Sequence, residues 1–273
     1  MIKQAVIPLA GLGTRLLPLS SITPKELLPI NGKTNLEHVM EECLNAGINQ
    51  FIFIISKKKE SIKKYFFNDK FYKAILSKKK NDKIKKAYLK IKKYQKMIKF
   101  VYQNEPKGTG DAILKCSKLI KSSHFLMLFP DDLIIKKNCS KEMIALHKKT
   151  KGGSIIATKT VIKNSVSRWG ILSLSKKYPK YFKVNDVVEK PSQKNAPSNF
   201  AIIGRYILPK KIMKNLKKLK PGQGGEIHIT DAIKELIYDK EPFYGNIFSG
   251  KYLDCGTMEG YIESNKIMAK EKK

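Results

Sequence analysis

The sequence predicts an α/β fold built on a mixed, mainly parallel sheet flanked by helices. Short apolar runs of strand length alternate with segments whose apolar residues recur at helical spacing. Each strand–helix–strand unit implies two parallel strands joined by a right-handed crossover. The chain has 273 residues, of which 42% are hydrophobic, and this length supports one large domain with its own core. We therefore expect a single domain over residues 1–273, with sites at the carboxyl ends of its strands.

The N-terminal half opens with such a unit. Residues 5–9 form an apolar run that predicts the first strand. Thr34 and Glu37 are spaced as a capping box in front of a helical apolar face, and Gly47 is placed to end that helix. The apolar residues 51–55 predict the next, buried strand. The pattern then repeats as strand, helix and strand over residues 100–102, 111–120 and 125–129.

Residues 57–99 interrupt this alternation. They hold 18 lysines against three acidic residues, a net charge of +15. Apolar residues nevertheless recur at helical spacing from Ile84 to Ile98. We therefore predict a helical excursion from the sheet, whose apolar stripe packs on the body or on another subunit. An RNA-binding arm is the alternative, and the scarcity of arginine disfavours it.

The second half is richer in strand patterns. Four strands are predicted there, over residues 153–160, 169–174, 186–189 and 200–207. A helix is predicted after Thr230, with Ile233, Leu236 and Ile237 on its apolar face. No flexible linker is apparent between the halves, so we expect these strands to complete the same domain.

The formal net charge of +32 comes almost wholly from lysine. The chain has 55 basic residues, of which only Arg15, Arg168 and Arg205 are arginines. Proteins that read bases or grip phosphates bidentately rely on the planar arginine fork, which lysine cannot reproduce. We therefore interpret most of the charge as solvated surface and expect no nucleic-acid partner.

Neither a membrane span nor an export signal is predicted. No apolar run approaches the roughly 18 residues that a membrane helix needs, and the first residues lack the pattern of a signal peptide. The four cysteines are scattered, without a C-x-x-C pair, which is typical of reduced thiols rather than of a zinc site. We expect a cytoplasmic protein with no membrane partner.

A glycine-containing loop follows the first predicted strand. Gly11 and Gly13 let backbone N–H groups approach phosphate oxygens, and Arg15 supplies a forked cation. The third glycine of a dinucleotide fingerprint would fall at Leu16, and the loop also lacks the G-K-[ST] of a P-loop. Lys25, ten residues after Arg15, adds a second cation near the same phosphates.

Several motifs in this order resemble those of the sugar-phosphate nucleotidyltransferases, in particular their bacterial uridylyltransferase branch. The matching segments are Gly11–Arg15 (G-x-G-T-R), Pro24–Pro29 (P-K-E-x-L-P), Gln103–Gly110, Val187–Pro191, Ala196–Tyr206 and Gly224–Ile233. The resemblance extends over almost the whole chain. It implies a single Rossmann-like nucleotidyltransferase domain, a homo-oligomer, and Mg²⁺-dependent transfer of a uridylyl group from UTP to α-D-glucose 1-phosphate.

The resemblance also implies the site residues. Arg15 and Lys25 are expected to be catalytic, and Asp131 and Asp254 to hold Mg²⁺, whereas Asp132 occupies a position that varies in the family. Nucleotide-binding residues are expected to be Ala10, Gly11, Gly13, Thr14, Gln103 and Gly108, and sugar-phosphate-binding residues Gly170, Glu189 and Lys190. These residue types fit the chemistry, because the sugar phosphate supplies the nucleophile and the protein aligns substrates and neutralises clustered negative charge.

Three features depart from a simple site. Regular alternation along a strand would place Glu189 and Lys190 on opposite faces, so a bulge or twist is required before Pro191. Asp111 stands where a histidine is common in the family, and Trp169 where a tyrosine is usual. The latter two departures bear on base preference and on the shape of the sugar pocket.

Two alternative functions remain at this point. A thymidylyl- or cytidylyltransferase acting on a related sugar 1-phosphate belongs to the same class, and Gln103 does not separate uracil from thymine, which share a polar edge and differ by one methyl group. A lysine-rich RNA-binding protein on a degenerate scaffold belongs to another class, and it predicts damaged catalytic motifs.

Overall fold

The structure is a computed structural model that describes residues 2–78, 81–222 and 225–271. Its strands are β1 Gln4–Pro8, β2 Pro29–Ile30, β3 Lys33–Thr34, β4 Gln50–Ile55, β5 Ile98–Tyr102, β6 His124–Leu128, β7 Asp132–Ile135, β8 Ser154–Thr160, β9 Gly170–Lys177, β10 Tyr181–Glu189, β11 Phe200–Pro209, β12 Phe243–Ile247 and β13 Lys251–Asp254. Its α-helices are α1 Asn35–Asn45, α2 Glu60–Phe67, α3 Asp69–Lys78, α4 Asp82–Gln95, α5 Gly108–Lys115, α6 Cys139–Lys149, α7 Ile212–Lys218, α8 Ile229–Tyr238 and α9 Met258–Lys270. Within these ranges, none of the helices combines the length and the apolar character of a membrane span. Gly224, the first residue of the last matching motif, lies outside the described residues.

The central sheet of the described residues has nine strands in the order β5-β4-β1-β6-β11-β8-β12-β10-β9. Seven of them run in one direction, and β10 and β11 run against them. β11 also pairs with β9 where Ala201 lies opposite Ile171, so the sheet curls and its last strand returns to the middle. The predicted α/β fold with a mixed, mainly parallel sheet is confirmed.

Both faces of the sheet are covered by helices. Ala5 and Ile7 of β1 belong to one buried cluster, which includes apolar residues of α1, α2, α4, α6 and α9. Val6, between them, belongs to the opposite cluster, together with residues of α5, α7 and α8. Because each central strand is buried on both faces, it reads as a continuous apolar run.

The predicted boundaries of α1 are confirmed. The Thr34 hydroxyl accepts a hydrogen bond from the Glu37 backbone N–H at 3.2 Å, and the Glu37 carboxylate accepts one from the Thr34 N–H at 3.1 Å. Gly47 follows the end of the helix with a φ of 89°, a left-handed conformation that glycine adopts without strain. The capping box thus fixes the helix directly after β3.

The lysine-rich excursion consists of α2, α3 and α4, and its apolar stripe packs on the body. Ile91 and Tyr94 of α4 are buried in the cluster that contains Phe53 of β4, and the Phe66 ring of α2 lies 5.8 Å from the Phe53 ring. The predicted end at residue 99 was wrong, because Ile98 already pairs with β4 as the first residue of β5.

The second half contains the four predicted strands, and three of them, β9, β10 and β11, extend beyond the predicted limits. β10 begins at Tyr181 rather than at Asp186, and β9 extends to Lys177, because the two strands pair antiparallel over most of their length. α8 begins at Ile229, before the predicted start after Thr230. Pairing between β9 and β10 thus extended these two strands beyond their apolar patterns.

Candidate active site

The candidate site lies where four neighbouring parallel strands end at one edge of the sheet. These strands are β5, β4, β1 and β6, and the residues that follow them include Ala10, Gln103 and Asp131. One cleft at this edge, here called the main cleft, has a volume of about 650 Å³. A smaller one, here called the second cleft, has a volume of about 240 Å³. Thr109 and Glu226 line both clefts, so the two are adjacent.

The predicted site residues divide between these clefts. Those that line the main cleft are Arg15, Lys25, Asp131, Gly170, Glu189, Lys190 and Asp254. Those that line the second cleft are Ala10, Gly11, Gln103 and Gly108. The residues predicted to hold the sugar phosphate and the metal, and the two cations predicted to be catalytic, therefore lie beside four of the residues predicted to hold the nucleotide.

Lys25 and Asp131 form an ion pair in the main cleft. Lys25 Nζ lies 2.5 Å from Asp131 Oδ2, and both side chains are largely buried. Burial disfavours both charges, but the contact outweighs it: the charge of Asp131 raises the pKa of Lys25, and the charge of Lys25 lowers the pKa of Asp131. Arg15 Nη2 lies 3.9 Å from the same oxygen with 63% of its side chain exposed, so its guanidinium is accessible to an anion.

Asp254 reaches the same place from the other half of the chain. β13 pairs antiparallel with β7, which sets Asp254 opposite Asp132. A Cβ atom added at Gly256 would lie 2.7 Å from Asp131 Oδ2 and 3.3 Å from Asp254 Oδ1, so the two predicted metal ligands converge beside this glycine. In the described part of the chain, no group of three or more His, Cys, Asp or Glu residues is arranged to hold a metal.

Asp132 is a further carboxylate of the main cleft. The Tyr252 hydroxyl donates a hydrogen bond of 2.6 Å to Asp132 Oδ1. Burial, and then the charge of Asp131, raises the pKa of Asp132 to about 6. Lys159 Nζ lies 3.8 Å from the centre of the Tyr252 ring, a cation–π contact behind that hydroxyl. Asp132 is thus held by Tyr252, whereas Asp131 lies against Lys25 and Arg15.

Gly170 and Glu189 lie opposite each other on the paired strands β9 and β10. A Cβ atom at Gly170 would lie 3.1 Å from Glu189 Oε2, so the glycine leaves space beside this carboxylate. Lys190 has a φ of 44°, and its N–H donates to the Trp169 carbonyl at 3.0 Å. The strand ends at Glu189, and this left-handed residue supplies the twist predicted before Pro191, so Glu189 and Lys190 both line the main cleft.

The turn of the second cleft is fastened to the segment before α8. Gly108 has a φ of 92°, and a Cβ atom there would lie 2.6 Å from the Ile227 carbonyl oxygen. The Gly110 N–H donates to that same oxygen at 2.7 Å, and the Ile229 N–H donates to the Thr109 hydroxyl at 3.1 Å. Only glycine fits at residue 108, because both the backbone conformation and the available space exclude a side chain.

Gly13 and Thr14 line neither cleft. Gly13 has a φ of 73° and directly precedes the short 3₁₀ turn Thr14–Leu16. A Cβ atom at Gly13 would lie 3.3 Å from Ser20 Cβ. The structure therefore gives Gly13 a conformational part in placing Arg15, and the contact of Gly13 and Thr14 with a nucleotide stays a prediction.

Comparison with known proteins identifies the family. The family model described as nucleotidyl transferase matches residues 4–271, which is almost the whole chain. The protein is a member of the nucleotidyl transferase family. The resemblance predicted from the motifs is confirmed.

Several relatives match this nucleotidyl transferase over nearly their full length. UTP–glucose-1-phosphate uridylyltransferase 2 of Staphylococcus saprophyticus is 38% identical over 264 residues, which cover 96% of this chain and 90% of that protein. A UDP-glucose pyrophosphorylase solved in complex with UDP-glucose superposes with a TM-score of 0.87 and 34% identity, covering 99% of this chain and 100% of that one. The UTP-bound enzyme of Acinetobacter baumannii gives a TM-score of 0.82 and 30% identity, over 98% and 93% of the two chains.

Sequence reasoning missed several polar residues of this transferase. Those that line the main cleft are Thr109, Arg168, Glu226, His228, Thr230, Tyr252 and Thr257. The sequence could have indicated Arg168, because it is one of only three arginines. In the structure, Arg168 Nη2 lies 3.8 Å from Asp254 Oδ2. No sequence pattern indicates Tyr252, because this residue reaches the cleft only through the pairing of β13 with β7.

Proposed function

We propose that this nucleotidyl transferase moves a uridylyl group from UTP to α-D-glucose 1-phosphate, releasing pyrophosphate and UDP-glucose. The main support is the cleft that gathers Arg15, Lys25, Asp131, Glu189 and Lys190 next to a second cleft suited to a base. The names of the relatives agree with this reaction, and one related structure holds UDP-glucose.

In this reaction a phosphate oxygen of glucose 1-phosphate attacks the α-phosphorus of UTP. A new P–O bond forms while the bond to the departing pyrophosphate breaks. The nucleophile belongs to the substrate, so the protein needs no nucleophilic side chain and acts through alignment and charge neutralisation. The exposed Arg15 guanidinium suits the leaving pyrophosphate, and the Lys25 ammonium, which its Asp131 contact keeps charged, suits the phosphate under attack.

The sugar and the base are held by different groups. The Glu189 carboxylate accepts hydrogen bonds from two neighbouring sugar hydroxyls, the space at Gly170 admits the ring, and the Lys190 ammonium binds the sugar phosphate. In the second cleft, Gln103 and the turn at Gly108 offer hydrogen-bonding groups to the polar edge of uracil.

A magnesium ion fits Asp131 and Asp254, whose oxygens converge beside Gly256. Two carboxylates are a donor set that Mg²⁺ commonly uses, with phosphate oxygens and water completing its coordination. When bound, the ion supplies positive charge that balances the phosphates. Lys25 already contacts Asp131 Oδ2, so the cation and the metal would share this carboxylate.

Of the two alternative functions, the RNA-binding one fits less well. A degenerate RNA-binding scaffold predicts damaged motifs, whereas the residues of the proposed reaction are present and line one cleft. A thymidylyl- or cytidylyltransferase differs only in the base and is separated by experiment. We also propose a cytoplasmic setting without a membrane or nucleic-acid partner, which agrees with four free, buried cysteines; the homo-oligomer stays a prediction.

The test is pyrophosphate release from UTP, dTTP, CTP and ATP, each paired with glucose 1-phosphate and with other sugar 1-phosphates. We expect the highest kcat/KM for UTP with glucose 1-phosphate, and no turnover once magnesium is omitted. Turnover with dTTP and none with UTP would contradict the uridylyl assignment.

A further inference from the structure

Asp111 contacts Gln103, the residue predicted to face the base. It lies in the first turn of α5, and 15% of its side chain is exposed. Gln103 Nε2 lies 2.7 Å from Asp111 Oδ2 and 3.0 Å from the Gly108 carbonyl oxygen. Lys115 Nζ lies 3.7 Å from Asp111 Oδ1, on the side of the carboxylate away from this contact.

These contacts determine which way round the Gln103 amide sits. An amide has a donor end and an acceptor end, and an ionised carboxylate and a carbonyl only accept. The end of Gln103 that meets Asp111 and Gly108 must therefore be the NH₂ group. A flipped amide would lose two hydrogen bonds and set its oxygen against two acceptors. Gln103 is only 6% exposed, so water offers little compensation.

The orientation of the Gln103 amide determines which hydrogen-bonding atom faces a base in the second cleft. Gln103 lines this cleft, and with its NH₂ group occupied, its Oε1 is the atom left to face a ligand. Uracil and thymine present an N3–H donor on their polar edge, which such an acceptor binds. Cytosine presents an unprotonated N3, which is itself an acceptor and is repelled.

We propose that Asp111 is a positioning residue that, with the Gly108 carbonyl, locks the Gln103 amide in the orientation that selects uracil over cytosine. The proposal rests on the proposed function, because it takes the second cleft as the base site. Thymine has the same N3–H donor as uracil, so Asp111 disfavours the binding of CTP but not that of dTTP.

The test compares UTP with CTP in the unmodified protein and in Asp111→Asn. Asparagine keeps the shape of the side chain but offers either a donor or an acceptor, so it no longer enforces one orientation of the Gln103 amide. Because a hydrogen bond to a charged group is at stake, we expect the ratio of kcat/KM for UTP to that for CTP to fall about tenfold or more. The matched control is Lys115→Met, which removes the ion pair but keeps the contact with Gln103 and should leave the ratio unchanged.

The dissociation constants of UTP and CTP are measured on the same three proteins, so the selection is tested even without turnover. Equal losses for both nucleotides in Asp111→Asn would overturn the proposal, because a residue that merely supports the turn would weaken them alike. An equal change of the ratio in Lys115→Met would also overturn it. An unmodified protein that binds UTP selectively but releases no pyrophosphate would contradict the proposed function alone.

Discussion

All three arginines of the chain lie in or directly behind the main cleft. Arg15 and Arg168 line it. Arg205 is fully buried and lies in the chain between Gly204 and Tyr206, which line the cleft. Its guanidinium donates hydrogen bonds from Nε and Nη2 to the Glu42 carboxylate at 2.8–3.2 Å. Lysines thus account for almost all of the net charge of +32. The three arginines lie where planar, bidentate contacts with oxyanions are useful.

Asp131→Asn is expected to lower kcat/KM by on the order of a hundredfold, because it removes a carboxylate proposed to hold the metal and contacted by Lys25. The measurement is kcat/KM across a magnesium titration, in which the variant should also need more magnesium. Asp132→Asn is the matched control, since asparagine still accepts the Tyr252 hydrogen bond. If Asp131→Asn is unaffected, or if Asp132→Asn loses more, the assignment of Asp131 fails.

At the scale of elements, the lysine-rich excursion is tied to the body by charge as well as by its apolar stripe. Lys90 of α4 lies 2.7 Å from the Glu37 carboxylate of α1, and the Tyr65 hydroxyl of α2 donates to that carboxylate at 2.8 Å. Burial opposes the charge of Glu37, but the hydrogen bonds from Lys90 and Tyr65 lower its pKa overall. The capping box of α1 therefore also anchors two helices of the excursion.

Glu37→Gln is expected to lower the free energy of unfolding by about 1–2 kcal/mol at pH 7, because glutamine keeps the cap but loses the charge. Since the pKa of Glu37 is lower in the folded chain than its ordinary value of 4.5, its contribution is present above pH 4.5 and is lost as the pH falls through the lowered pKa. Urea unfolding at several pH values measures this difference between the proteins.

Glu41→Gln is the control for that comparison. Glu41 lies 3.3 Å from the same Lys90 but is 30% exposed, so its loss should matter less. A Glu37→Gln penalty that stays constant down to pH 3 would contradict the charge-based anchor.

At the scale of the whole molecule, one buried ion pair joins the two halves of the chain. Arg205 of β11 and Glu42 of α1 are 163 residues apart, and the Ser140 N–H and hydroxyl of α6 donate to Glu42 Oε1 at 3.0 and 2.6 Å. These contacts give Arg205 a structural role. Such contacts between distant parts of the chain agree with one domain over residues 1–273, which stays a prediction.

Arg205→Met is expected to lower the free energy of unfolding by about 3–5 kcal/mol, because it leaves the Glu42 carboxylate buried without its partner. Urea unfolding followed by far-UV circular dichroism and by the fluorescence of the single tryptophan, Trp169, measures it. We expect one transition that coincides for both probes, and recovery of part of the loss in the double variant Glu42→Gln/Arg205→Met. Separate transitions in the unmodified protein would contradict the single domain, and a loss below about 1 kcal/mol would contradict the role of the pair.

The sequence by itself determined the fold class, the family and part of the lining of the two clefts. Strand-length apolar runs predicted the central strands because both faces of those strands are buried, and this burial leaves a continuous local pattern. The ends of those runs then located the residues after each strand, Asp131 among them, because parallel neighbours finish at one edge. The helical stripe of residues 57–99 similarly predicted the excursion.

Only the tertiary structure decided which side chains meet. Asp254 joins Asp131 through the pairing of β13 with β7, and Lys190 turns beside Glu189 through a left-handed backbone. The orientation of the Gln103 amide likewise depends on two acceptors, Gly108 and Asp111, that the first turn of α5 brings together. Register, backbone twist and hydrogen bonding between distant segments set these contacts, and none of them leaves a periodic trace in the order of residues.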